Sequence, residues 1–250
     1  MLLHGSPGSR LFRPPPELVD ELGVRVVTYD RPGYGRSDPQ PDRRVADAAG
    51  DVRALLDHLD VERAALIGWS GGGPFAVATA RHLSERVAHL AIVSAPGPLD
   101  EVPTAWEALG DYQRPTAEMA RQDPTRSKRA IGRHMEPYLE NPVLFLGGRG
   151  KGPDGETVRG PANAMLVEQV NEALVQGAEG IAADLVAMWL DWGFRLAEVA
   201  VPTTVFQGAH DRHNHDDARC YASNIPDATL VVWPDAGHLG VVSEWRTVLA

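Results

Sequence analysis

The sequence predicts an α/β fold, a doubly wound and mostly parallel sheet interrupted by a helical insertion. Three observations predict it. Short apolar, β-rich runs recur at residues 24–29, 64–67, 90–94, 203–206 and 229–233, and helical patterns at 45–59 and 74–83 separate the first three. These runs are close to continuously apolar, as strands covered on both faces are. Glycine-rich stretches carrying reactive side chains follow the strands, at the carboxyl ends where an open parallel sheet builds its sites.

With 250 residues and 43% hydrophobic composition, the chain can bury one large core. Its formal charge of −10 is spread without a basic cluster, which disfavours nucleic acid and anionic membranes as partners. The single cysteine, Cys220, excludes an internal disulfide framework and fits a reducing compartment. No apolar run approaches the roughly 20 residues of a membrane span, and no basic-then-apolar leader opens the chain. A cytoplasmic protein acting on a small molecule is the expectation, with oligomeric state left open. No internal repeat or heptad pattern is present.

The elements follow in order. Met1-Leu2-Leu3 reads as a strand, and His4-Gly5-Ser6-Pro7-Gly8-Ser9 as a tight loop whose backbone N–H groups can stabilise a negative oxygen. The 24–29 run leads into Asp30-Arg31-Pro32-Gly33-Tyr34-Gly35-Arg36-Ser37. Ala64-Ala65-Leu66-Ile67 reads as a buried strand, and the alanine-rich 74–83 as a helix. Between them lies Gly68-Trp69-Ser70-Gly71-Gly72. A serine on so sharp a turn needs small neighbours, which is why glycine stands two residues to either side. Such a turn exposes the hydroxyl and aims the next N–H groups at whatever the oxygen attacks. In a chain with 25 glycines the pattern alone is weak, and its position between strand and helix is what gives it weight.

Residues 96–197 break the rhythm. They carry no convincing strand and hold most of the large side chains: Trp106, Tyr112, Met119, Met135, Tyr138, Phe145, Met165, Met188, Trp189 and Trp192. We read them as a helical lid over the strand ends, with 1–95 and 198–250 forming the core. Most of those side chains should pack, and three or four should line a pocket. The run 147–152 resembles a phosphate loop only superficially: Phe145 stands where the first glycine belongs, and Gly152 where Ser or Thr would hold magnesium. No cofactor is expected. After the 203–206 and 229–233 runs come Gly208-Ala209-His210-Asp211 and a Gly237-His238 loop, and 241–249 remains for a final helix.

Five of these segments, His4-Gly5-Ser6-Pro7-Gly8, Asp30 to Ser37, Gly68 to Gly72, Gly208 to Asp211 and Gly237-His238, resemble in order and spacing the motifs of α/β-hydrolase-fold enzymes. The resemblance covers essentially the whole chain. It implies an oxyanion hole formed by the N–H groups of Ser6 and Gly71, and a structural role for His4. A serine hydroxyl needs a base, and the base an orienting carboxylate. The resemblance supplies them in the chain order Ser70, Asp211, His238, with Asp216, Asp217 or Asp100 as substitute acids. Serine at the nucleophile position disfavours epoxide opening and halide displacement through an aspartyl ester. The stretch 210–217, with three histidines and three carboxylates, admits metal binding as a rival reading, but no second ligand cluster supports it.

In that family a strand hairpin precedes the strand leading into the His-Gly loop. Here that strand begins at Met1, so the sheet is expected to lack the hairpin and to expose a hydrophobic edge near residues 24–29. The leading expectation is a serine hydrolase acting on a small ester, thioester, lactone or amide. A proline iminopeptidase-like peptidase would need lid acids such as Glu107, Asp111, Glu118 or Glu136 to hold an amine. A carbon–carbon bond hydrolase or a cofactor-free haloperoxidase would use the same three side chains. A small-molecule receptor on the same fold is the reading outside enzymes.

Overall fold

The computed structural model describes residues 1–147, 151–211 and 215–250. Five strands, β1 (Leu2–Leu3), β2 (Ala64–Trp69), β3 (Val87–Val93), β4 (Thr203–Gly208) and β5 (Ala228–Trp233), form one wholly parallel sheet in the order 1-2-3-4-5. The registers are regular across the centre, with Ile67 opposite Ala91 and Ile92 opposite Val205. Side chains alternate along each strand. Leu3, Leu66, Leu90, Ile92 and Val205 enter one core cluster, and Leu2, Ile67, Ala91, Val93 and Phe206 enter the other.

Helices cover both faces, which is why the strands read as continuously apolar. α2 (Ala48–His58), α3 (Gly73–His82) and α11 (His215–Asn224) bury Val52, Phe75 and Tyr221 on the first face. On the second, the loop residue Phe12 packs with side chains of α9 (Asn163–Ala173), α12 (Gly240–Ser243) and α13 (Trp245–Leu249), led by Trp245. α1 (Pro16–Leu22) opens that side of the chain. The single final helix expected over 241–249 is thus two short ones.

Between β3 and β4 the described residues are helical: α4 (Ala105–Ala108), α5 (Gln113–Gln122), α6 (Pro124–Glu140), α7 (Leu144–Gly147), α8 (Gly152–Arg159), α9 and α10 (Glu179–Trp189). They build a third cluster of their own, in which Ala117, Ile131, Met135, Ile181 and Trp189 enclose Tyr34 from the core. The phosphate-loop-like run falls partly on residues 148–150, outside the described residues. None of the helices described is long and apolar enough to cross a membrane.

One expected strand is corrected. Residues 24–29 form no strand: the segment touches the sheet through an isolated bridge between Leu2 and Thr28 and the hydrogen bond from Leu2 N–H to Val27 O, at 2.9 Å. Its neighbour β1 offers only two residues to pair with, so β propensity in Val24, Val26 and Val27 finds no ladder to join.

Candidate active site

The site begins at the end of β2. Ser70 has φ +51°, a left-handed conformation rare for a side chain other than glycine. Glycine on either side makes the turn feasible. A Cβ on Gly68 would lie 2.7 Å from both the Ala76 Cβ and the Gly73 Cα of α3, and one on Gly72 would collide with the Leu3 carbonyl oxygen. The elbow is therefore wedged between α3 and β1, and Ser70 points out over the carboxyl end of the sheet.

His238 and Asp211 arrive on the loops after β5 and β4. His238 Nε2 lies 2.9 Å from Ser70 Oγ, and Nδ1 lies 3.0 Å from Asp211 Oδ2. Asp211 and His238 are 2% and 5% exposed, so the pair is shielded from water while Ser70 faces open space. The histidine loop is fastened from two directions. Trp69 Nε1 donates to the His238 carbonyl at 3.2 Å, and Leu239 N–H donates to Asp154 Oδ1 of α8 at 2.8 Å. Contacts of this kind set the imidazole's position without involving its ring nitrogens.

Ser6 and Gly71 meet beside the serine, where a Cβ on Gly71 would stand 3.0 Å from Ser6 N. Both, with Ser70, line a cavity of about 320 Å³ that reaches up to α4, α5 and α10. A second cleft of about 170 Å³, walled by Trp69, Phe145, Leu166 and Gln169, is also lined by Ser6 and Ser70. Ser6 and Ser70 thus line both spaces. Of the large residues noted in 96–197, Met188 and Trp189 line the first space and Phe145 the second.

Two of the three substitute acids lie at the surface: Asp100 pairs with Arg121 at 2.6 Å, and Asp216 binds Thr104 and Arg219. Asp217 is buried on the cavity wall and accepts from Gly97 N–H at 2.7 Å. Glu107, Asp111, Glu118 and Glu136, required by the peptidase reading, are exposed, and none lines the cavity. Part of the 210–217 stretch lies outside the described residues. Among the described residues, no three His, Cys, Asp or Glu side chains gather as metal ligands would.

His4 is a fully buried structural group. Its Nδ1 donates to Gly5 O at 2.8 Å and its Nε2 accepts from Arg31 N–H at 3.1 Å, an assignment that requires the neutral ring. Burial, reinforced by the Arg31 guanidinium, holds its pKa well below the ordinary 6.5. In the unfolded chain the ring titrates normally, so protons bind preferentially to the unfolded state as pH falls below about 6.5. The stability His4 supplies is full above that pH and declines below it, by up to about 1.4 kcal/mol per pH unit. Melting temperatures measured between pH 7 and 5 should fall less steeply in His4→Gln than in the unaltered protein.

Sequence reasoning missed the network beneath the His4 loop. Arg31, fully buried, donates from Nη2 to Asp184 Oδ2 of α10 at 2.6 Å and to Ser6 Oγ at 2.8 Å, and from Nη1 to His4 O. Ser6 Oγ and Tyr34 Oη donate to the same Asp184 oxygen at 2.7 and 2.9 Å. Arg43, also buried, lies 3.8 Å from Asp184 Oδ1, and both guanidinium groups stack on the Phe75 ring. Asp30 ties the flanking backbone, accepting from the N–H groups of Arg10 and Arg36. The Asp30–Ser37 motif is therefore scaffolding for Ser6. One signal was available: a lone acid, Asp184, inside the otherwise apolar run of α10 must have a buried partner.

Comparison with known proteins gives the frame for this geometry. The family model described as alpha/beta hydrolase fold matches residues 1–244. A 2-hydroxy-6-oxononadienedioate/2-hydroxy-6-oxononatrienedioate hydrolase of Paraburkholderia phymatum is 38% identical over 252 residues, covering 95% of this chain and 80% of the relative. Its counterpart from Cupriavidus pinatubonensis is 28% identical, with 95% and 79% covered. Among solved structures, the enol-lactonase from Burkholderia xenovorans superposes with a TM-score of 0.69 at 23% identity, covering 99% of this chain and 88% of that one, a likeness of fold. A family match over nearly the whole length, with relatives named as hydrolases across most of theirs, places the chain in the α/β-hydrolase fold family, as a hydrolase.

Proposed function

We propose that the protein is a serine hydrolase that cleaves a small ester, thioester, lactone or amide through an acyl-enzyme on Ser70. The observation that carries this reading is the unbroken contact chain from Ser70 Oγ through His238 to Asp211, at 2.9 and 3.0 Å. In it, His238 Nε2 takes the Ser70 proton as Oγ bonds to the substrate carbonyl carbon. Asp211 holds Nδ1–H and stabilises the imidazolium. The carbonyl oxygen becomes negative against the N–H groups of Ser6 and Gly71, fixed donors that do not reorganise during the reaction. The imidazolium then protonates the leaving group as its bond to carbon breaks, leaving the ester of Ser70. Water, deprotonated by His238, attacks that ester and returns Oγ its proton. Residues 96–197 act as the lid that walls this chemistry from solvent.

A fluorophosphonate probe tests the proposal. It should add covalently to one residue, mapped by peptide mass to Ser70, and the adduct should block ester hydrolysis. Labelling spread over several serines, or confined to another, would refute it. Carbon–carbon hydrolysis of a 2-hydroxy-6-oxo dienoate is the second reading, favoured by the names of the relatives. Loss of the substrate's dienol absorbance on adding enzyme would select it, and a panel of simple esters would select the first.

A further inference from the structure

Besides Asp211, two acidic side chains among the described residues are buried around Ser6 and Ser70, and they are treated oppositely. Asp184 is surrounded by donors and by the guanidinium groups of Arg31 and Arg43. Asp217, the third residue of α11, is 8% exposed, and no described cation pairs with it. Its Oδ1 accepts from Gly97 N–H, a bond that an asparagine oxygen would make equally well. Its own backbone N–H, in the first turn of α11, also favours the carboxylate, while its neighbours Asp216 and Asp211 add negative charge.

A buried carboxylate without a counter-ion is costly, and proteins normally pair it or leave it to meet a ligand. Asp217 lines the 320 Å³ cavity that also holds Ser70 Oγ and His238. The rest of the described lining is apolar or neutral, with Leu109, Leu185, Met188 and Trp189 as its larger members and no lysine or arginine. Burial raises the Asp217 carboxyl to about 6, still below neutral pH, so the group is predominantly ionised there.

We propose that Asp217 is the specificity-determining residue of this site, receiving a protonated amine on the substrate and rejecting substrates with a carboxylate at the same place. The proposal rests on the serine hydrolase reading for its chemistry, but the selection by charge is a property of the cavity alone. It also separates this chain from relatives whose names specify dioates: a second carboxylate directed into the cavity would face Asp217.

Two measurements test it on the whole protein. Binding of n-butylammonium, n-butanol and butyrate, followed by tryptophan fluorescence or by ligand NMR, should favour the ammonium over the carboxylate by at least about tenfold, the worth of one charge-assisted hydrogen bond. Asp217→Asn should abolish that preference. Asp216→Asn removes the same charge from the exposed neighbour and should leave it intact, which controls for the acidity of the chain as a whole. Equal binding of the three probes, or a preference unchanged in Asp217→Asn, overturns the proposal. The second measurement is turnover of matched esters carrying an ammonium, a methyl or a carboxylate on the acyl or the alcohol portion. Charge-selective binding without turnover would sink the catalytic reading and leave this one standing. Turnover indifferent to charge on both portions would do the reverse.

Discussion

Replacing Ser70 with alanine should lower turnover of the best ester substrate by a factor on the order of 10⁴–10⁶, with the fold intact. The expected loss is large because, in the proposed mechanism, Ser70 Oγ supplies the bond-forming atom, and alanine would leave His238 and Asp211 with nothing to activate. In that mechanism, what survives is substrate binding and the proposed oxyanion hole of Ser6 and Gly71 N–H groups, which would still assist attack by water. Stability should change little, since Ser70 lines the cavity and its hydroxyl's partner among the described residues is the imidazole. Steady-state kinetics on purified protein, with circular dichroism as the folding control, decides the matter. Activity within tenfold of the unaltered enzyme would show that the reaction runs through another residue.

The second large effect is on stability. Asp184→Ala should destabilise the protein by about 3–5 kcal/mol, because it strands the Arg31 guanidinium in a site with no exposure. For a chain of this size that corresponds to a fall in Tm of roughly 6–20 °C. The double variant Arg31→Met with Asp184→Leu should recover part of the loss, since it removes the stranded Arg31 charge and leaves only Arg43, which keeps Asp51 at 3.6 Å. Ser6 loses its acceptor in either case, so the rate should fall even where the fold survives. Thermal melts of the single and double variants measure this directly, and a single variant melting within about 1 °C of the unaltered chain would refute it.

Legibility in the sequence followed distance along the chain. The elbow around Ser70 could be read because strand, glycine spacing and helix are all local, and the loops bearing Asp211 and His238 because each follows a recognisable strand. The fastening of Ser6 could not, because Arg31 and Asp184 are separated by 153 positions and nothing in either neighbourhood names the other. Asp217 was visible only as one acid among several. Its significance lies in the absence of a paired cation among the described residues. The 24–29 segment misled for the opposite reason: its valines have the right propensity, but strand formation depends on the length of the neighbour, and β1 is two residues long.

The Arg31–Asp184 bond also bears on traffic. It ties α10 near its middle to the loop that carries Arg31, so displacing that helix would have to break a buried ion pair. Ala108 and Gln113, both exposed and both on the cavity wall, stand opposite it on the α4 and α5 side. If reactants enter on that side, changes that stiffen those two helices should slow passage in and out while leaving the bond-making step as it was.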